Sequence, residues 1–137
     1  MRFVDTNILL YAVSSAPEEA AKTARAEALL NETDLALSVQ VLQEFYVQAT
    51  HPTRTMPISQ DAATELLVTF SRFPILDITQ PLVLAAIATS VRWRVNYWDA
   101  AIIEAARASG CDTLLTDDLQ HGQDFAGVRV VNPFKGL

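Results

Sequence analysis

One cysteine, four glycines and ten basic residues among 137 are small allotments, and each shortage excludes something. A lone cysteine, Cys111, can form no internal disulfide, so the chain is not a disulfide scaffold. A small buried thiol near the start of a strand is expected there, and a reducing cytoplasm is the expected compartment. The scattered glycines form no phosphate-cradling loop. Ten basic residues against 16 acidic ones leave a net charge of −6, which speaks against a general nucleic-acid binder. It leaves open a nucleic-acid enzyme whose acids are concentrated in a metal site. No uncharged apolar run approaches the roughly 18 residues of a membrane helix. No basic segment followed by a cleavable apolar stretch opens the chain, so no secretory signal is expected. The two histidines, His51 and His121, stand alone in polar segments, as surface histidines do, and no Cys–His catalytic pair is apparent.

Apolar residues make up half of the sequence and charged ones only 19%, enough for a folded core in a single domain spanning residues 1–137. Short apolar stretches alternate with helical periodicities. Strands are expected at 2–5, 35–38, 75–78, 113–116 and 128–131. Helices are expected over 7–13, 17–31, 39–50, 60–73, 81–94 and 97–109. Pro17 sits in the first turn of one helix with Glu18 and Glu19 behind it, Ser59 caps another, and Gly110 ends the last. Two prolines in "HPTRTMP" (51–57) interrupt the pattern. Strands separated by helices imply an α/β fold, with a mainly parallel five-stranded sheet flanked by helices. Sites in such sheets form where strands end and helices begin.

The acids fall at those places. Asp5 follows the first strand and interrupts "RFV" and "ILL", where an unpaired carboxylate is costly. A helix N-cap is its simpler alternative role. Asp99 opens "YWDAAIIEAARASG" and shares a helical face with Ile102, Ile103 and Ala106, whereas Glu104 and Arg107 belong to the opposite, solvated side. A helix-start acid complementing the dipole is the alternative there. Glu44, in "VQVLQEFYVQAT", points away from the face made by Leu42, Phe45, Tyr46 and Ala49, so a solvated Glu fits its periodicity better. Asp117 and Asp118 follow the fourth strand, where turn or cap roles are common. Several carboxylates brought to one edge would repel one another unless a cation sat among them. Oxygen donors suit Mg²⁺, with Mn²⁺ as a second option, and such ions activate water for phosphodiester chemistry.

"VDTNIL", Glu44 after the second strand, "YWDAAII" around Asp99 and "LLTDD" together resemble the PIN-domain ribonucleases. "TDDLQHGQDF" followed by "VRVVNPF" resembles the VapC-type toxins of toxin–antitoxin pairs, and the likeness runs from residue 1 to about 134. The resemblance implies a three-layer PIN-like sandwich and Mg²⁺-dependent cleavage of RNA. It assigns metal-binding and catalytic roles to Asp5, Glu44, Asp99 and Asp118. Asp117 fills a place where many relatives have Asn or Glu, so a metal-ligand role for it stays open. Asn7 and Thr116 are implied to orient the carboxylates by hydrogen bonding. A homodimer and a cognate antitoxin covering the acidic site are implied as partners, and no membrane. The apolar stretches Leu9–Val13 and Leu42–Val47 offer interfaces or plain core packing.

RNA binding by an acidic protein needs local help. "VRWRVNYW" (91–98) supplies Arg92, Arg94 and Trp98, with Trp93 and Tyr97 beside them; core aromatics with solvated arginines are the alternative. "HPTRT" (51–55) is a second candidate segment. Three rival readings remain. A haloacid-dehalogenase-type phosphatase using Asp5 needs a second acid two residues on, where this chain has Asn7. A non-catalytic PIN module binding RNA or protein is another, and a PIN nuclease of RNA maturation or decay is the third.

Overall fold

The structure is a computed structural model and describes all 137 residues. Arg2–Val4 forms β1, Leu35–Ser38 β2, Ile75–Leu76 β3, Thr113–Leu115 β4, Asp124–Phe125 β5 and Val128–Val131 β6. The helices are α1 (Thr6–Ala12), α2 (Ala20–Leu30), α3 (Val39–Ala49), α4 (Gln60–Phe70), α5 (Gln80–Trp93) and α6 (Tyr97–Ala108). The strands join one sheet in the order β3-β2-β1-β4-β6-β5, parallel except for the β5–β6 pair.

β1 lies mid-sheet, with Phe3 opposite Ala36 on β2 and Leu114 on β4. A central parallel strand is covered on both faces, so its sequence reads as a continuous apolar run. Phe3, Val4, Leu35, Leu37, Leu114 and Leu115 are accordingly buried, with Ile8, Phe45 and Ile103 from the helices packed among them. Successive strands step away from β1 through β2 to β3, while β4 returns to its other side. The crevice of an open α/β sheet forms at such a reversal, outside the carboxyl ends of the two strands concerned. Here those strands are β1 and β4, and the residues just past them are Asp5 and Thr116–Asp118.

The sheet has six strands, not five. β5 is two residues long and turns into β6 through Ala126 (φ 52°) and Gly127 (φ 101°), with the Gly127 amide donating to Asp124 at 2.6 Å. A two-residue strand is too short to show an alternation, so its sequence carries no strand signal. The expected helix from Pro17 begins instead as a 3₁₀ turn over Pro17–Glu19, where Ser14 donates to the Glu19 carboxylate at 2.6 Å. α4 stops at Phe70 rather than Phe73. The Phe73 amide bonds the Phe70 carbonyl in a closing turn, and a spacing of three that suits a helix suits that turn equally.

The expectation that Glu104 is solvated is wrong. Every residue from Ala100 to Ala106 is buried, Glu104 at 7% exposure, because α6 lies between the sheet and α5. Thr89 of α5 donates to Glu104 at 2.8 Å, and Arg107 pairs with it at 3.1 Å. Arg107 also donates to the carbonyls of Phe125 and Ala126, both at 2.7 Å, thereby fastening the β5–β6 turn to α6. Cys111 is buried beside β4, and burial pushes its thiol pKa up. His51 and His121 are exposed, each accepting a bond from a backbone amide nearby.

Candidate active site

Asp5 leaves β1 in an extended conformation and caps α1, its Oδ1 accepting from the Thr6 amide at 2.7 Å. The capping alternative is therefore real, and it occupies one oxygen only. Oδ2 accepts from the Thr116 hydroxyl at 2.8 Å, across the gap between β1 and β4. Thr116 is fully buried and acts as a hub: its Oγ1 also accepts from the Asn7 side-chain amide and from the Asp118 backbone amide, each at 3.1 Å. One hydroxyl thus fixes the acid after β1, the amide on α1 and the turn after β4.

Glu44 does not point into water. It is half-buried, with one carboxylate oxygen accepting from the Thr6 hydroxyl at 3.1 Å and the other from Gln40 at 2.7 Å. The cause is the packing of α3 against α1, which brings the Thr6 hydroxyl to the side that periodicity assigned to solvent, while Gln40 comes from the preceding turn of α3 itself. Asp99 sits in the first turn of α6 in a reciprocal pair with the N-cap Asn96. Its amide donates to Asn96 Oδ1 at 2.9 Å, and Asn96 Nδ2 donates to its carboxylate at 2.7 Å.

Asp5 is 5% exposed, and burial pushes its pKa up to about 7 despite the bonds from Thr116 and Thr6. The charges of Asp118 and Glu44 raise it further. Burial raises Asp99 too, again reinforced by Asp118 and Glu44. The four acids therefore share one field, and no ion pair of the chain includes any of them. Asp117 differs. Burial and Asp118 raise its pKa, while the Tyr11 hydroxyl and Lys22 hold it down, so it faces a tyrosine and a lysine across the rim.

The donor set fits a hard divalent cation. It consists of carboxylate oxygens without a cationic partner, and the side-chain oxygen of Asn7 is buried with no hydrogen-bond partner at all. No three of the acids form a cluster that would enclose an ion by themselves. A cleft of about 560 Å³ opens beside the site and reaches it at Asn7, Asp117 and Asp118.

The segment 91–98 divides. Trp93 packs edge-on against Phe125 in the core, with Arg92 over its outer face at 4.9 Å. Trp98 is 65% exposed, next to Asp99, and Arg94 is exposed at the left-handed end of α5. Sequence reasoning missed Thr6, Gln40 and Asn96. Gln40 had a signal, since it precedes Glu44 by one helical turn and so shares its face.

The family model for the PIN domain matches residues 2–124. The chain belongs to the PIN-domain family. Among solved structures, it is similar to a toxin–antitoxin complex from Klebsiella pneumoniae, at 25% identity and a TM-score of 0.68 over 98% of each chain. It also superposes on FitAcB from Neisseria gonorrhoeae, with a TM-score of 0.70 at 20% identity over 98% of this chain and 99% of that one. A third likeness is to Mycobacterium tuberculosis VapC20, with a TM-score of 0.67 at 18% identity over 86% of this chain and 92% of that one. No curated protein matches the chain. No helix of this PIN domain is long and apolar enough to cross a membrane.

Proposed function

We propose that this PIN domain is a divalent-metal-dependent endoribonuclease and the toxin of a type II toxin–antitoxin pair. The observation that carries the nuclease reading is the convergence of Asp5, Glu44, Asp99 and Asp118 into one uncompensated field beside the β1–β4 reversal. The toxin reading is supported by likeness to the Klebsiella complex and to VapC20, which is a sarcin–ricin loop cleaving toxin.

Asp5 and Asp99 would hold the cation, Mg²⁺ first and Mn²⁺ second, with Glu44 and Asp118 completing the site or orienting the attacking water. Bound there, the cation would lower the pKa of a water molecule and offset the charge of the scissile phosphodiester. Asp118 is preferred over Asp117, because Thr116 ties its backbone to Asp5 and because its charge acts on both Asp5 and Asp99. Thr116, Asn7, Thr6, Gln40 and Asn96 hold the carboxylates in place, a role whose loss commonly costs 10- to 100-fold at metal sites. Exposed Trp98 beside Asp99 would offer a stacking surface for a base, and the exposed Arg92 and Arg94 would be phosphate contacts. A cognate antitoxin, a homodimeric state and a cytoplasmic location complete the reading.

Purified protein incubated with total RNA should cut it in Mg²⁺ and leave it intact in EDTA. Asp5→Ala and Asp99→Ala should each abolish cutting, and end-mapping should find 5′-phosphate and 3′-hydroxyl termini. Intact RNA with the wild-type protein, freed of any partner, would turn the reading toward a non-catalytic binding module.

A further inference from the structure

The cleft beside the acids holds an unexplained cation. Arg54, in the segment between α3 and α4, lines it together with Glu18, Glu19, Asp117 and Asp118. Arg54 is half-buried, and its guanidinium makes one weak bond, from Nη2 to the Leu10 carbonyl at 3.3 Å. It is in none of the chain's ion pairs, although four carboxylates line the same cleft. An arginine that shares a cleft with acids usually forks onto one of them, because bidentate pairing is its strongest interaction. This one is held by a single carbonyl, with most of its five donors uncommitted. The other cation near the cleft, Lys22, is engaged with the Tyr11 ring and hydroxyl. Arg54 is thus the one lining residue able to attract a phosphate in a cleft whose other charges repel it.

We infer that Arg54 binds a backbone phosphate of single-stranded RNA in this cleft, next to the phosphodiester that is cut. The inference rests on the nuclease reading and adds the path of the substrate. RNA would cross the acids with a base stacked near Trp98 on one side and a phosphate held by Arg54 on the other. The cleft, at about 560 Å³, has room for a nucleotide-sized group. Its acidic rim makes the arginine a selective contact: a phosphate placed elsewhere along the cleft meets like charge.

Binding of a fluorescein-labelled, random-sequence single-stranded RNA 12-mer, followed by anisotropy in EDTA across a series of salt concentrations, tests this without cutting. One lost phosphate contact should weaken binding by Arg54→Gln roughly tenfold at low salt and reduce the salt slope by about 0.7. Arg54→Lys retains the charge and should keep most of the slope. A wild-type slope and affinity in Arg54→Gln would overturn the inference while leaving the nuclease reading intact. Equal losses in the Gln and Lys variants, accompanied by a lowered melting temperature, would make Arg54 only a tether for α1 and overturn it as well. Failure of the wild-type protein both to bind this RNA and to cut total RNA would remove the nuclease reading and the inference together.

Discussion

Asp5 carries the main tension of the molecule. Buried at the end of a central strand, its carboxyl has a pKa near 7 where an ordinary aspartate has 3.8. Between those values the folded chain binds a proton that the unfolded chain releases, so the metal-free protein loses stability as pH rises from about 4 to about 7. The slope is about 1.4 kcal/mol per pH unit, or on the order of 4 kcal/mol over the interval as an upper bound. Asp99 and Asp117 are raised as well, which adds a contribution of the same sign in the lower part of the window. Asp5→Asn removes the buried charge and keeps an acceptor for the Thr6 amide. In EDTA at pH 8 it should therefore melt above the wild type while being inactive, and its melting temperature should be much flatter between pH 4 and 7. Urea or thermal melts across pH check both points. A wild-type profile that is flat, or that rises through this window, would show that Asp5 is not the buried acid described here.

At the scale of elements, the clearest departure from sequence expectation is the junction of α5, α6 and the β5–β6 turn. A Glu104 opposite the apolar stripe of an isolated helix belongs in water. In this chain α5 covers that side, and a buried carboxylate is tolerable only because Thr89 and Arg107 satisfy it. Arg107→Ala would leave Glu104 short of its cationic partner and free two carbonyls of the β5–β6 turn. A loss of about 2–4 kcal/mol is expected, measured by urea unfolding. Mg²⁺-dependent cutting by the fraction that remains folded should stay near the wild-type level, because none of the active-site hydrogen bonds includes Glu104 or Arg107. The same logic explains Glu44. Periodicity reports which face of one helix is apolar, but it does not report that α1 will bring Thr6 to the other face. By contrast, the start of α4 was legible, because Ser59 caps it through a local contact that does not depend on the rest of the fold; Ser38 and Thr79 cap α3 and α5 in the same way.

For the whole molecule, cation binding at the site and folding are coupled. A cation that binds only the folded chain stabilises it by mass action, by about 2.7 kcal/mol at a hundredfold excess over its Kd. For a domain of this size that is roughly 8–14 °C in melting temperature, at about 3–5 °C per kcal/mol. Mg²⁺ should therefore raise the melting temperature of the wild-type protein at pH 8. The increment should shrink at pH 6, where a proton competes for Asp5, and vanish in Asp5→Asn. Differential scanning calorimetry with and without EDTA reads all three. An increment that persisted in Asp5→Asn would place the cation elsewhere.

The sequence alone determined the α/β class, the order of the elements apart from β5, and the ordered acids that resemble the PIN family. These depend on local periodicity, on capping and on residues near strand ends, all of which are properties of short stretches. It also brought forward Asp5, Asn7, Glu44, Asp99, Thr116 and Asp118 as candidates. Only the tertiary structure decided how they meet. Thr116 serves three partners from three segments, Asp118 rather than Asp117 shares the field of Asp5 and Asp99, Glu44 turns inward, and Arg54 stands unpaired in an acidic cleft. The physical reason is one of range. Apolar burial is written along each element, whereas polar partners and electrostatic fields arise between residues far apart in the chain, and their geometry exists only once the elements have packed.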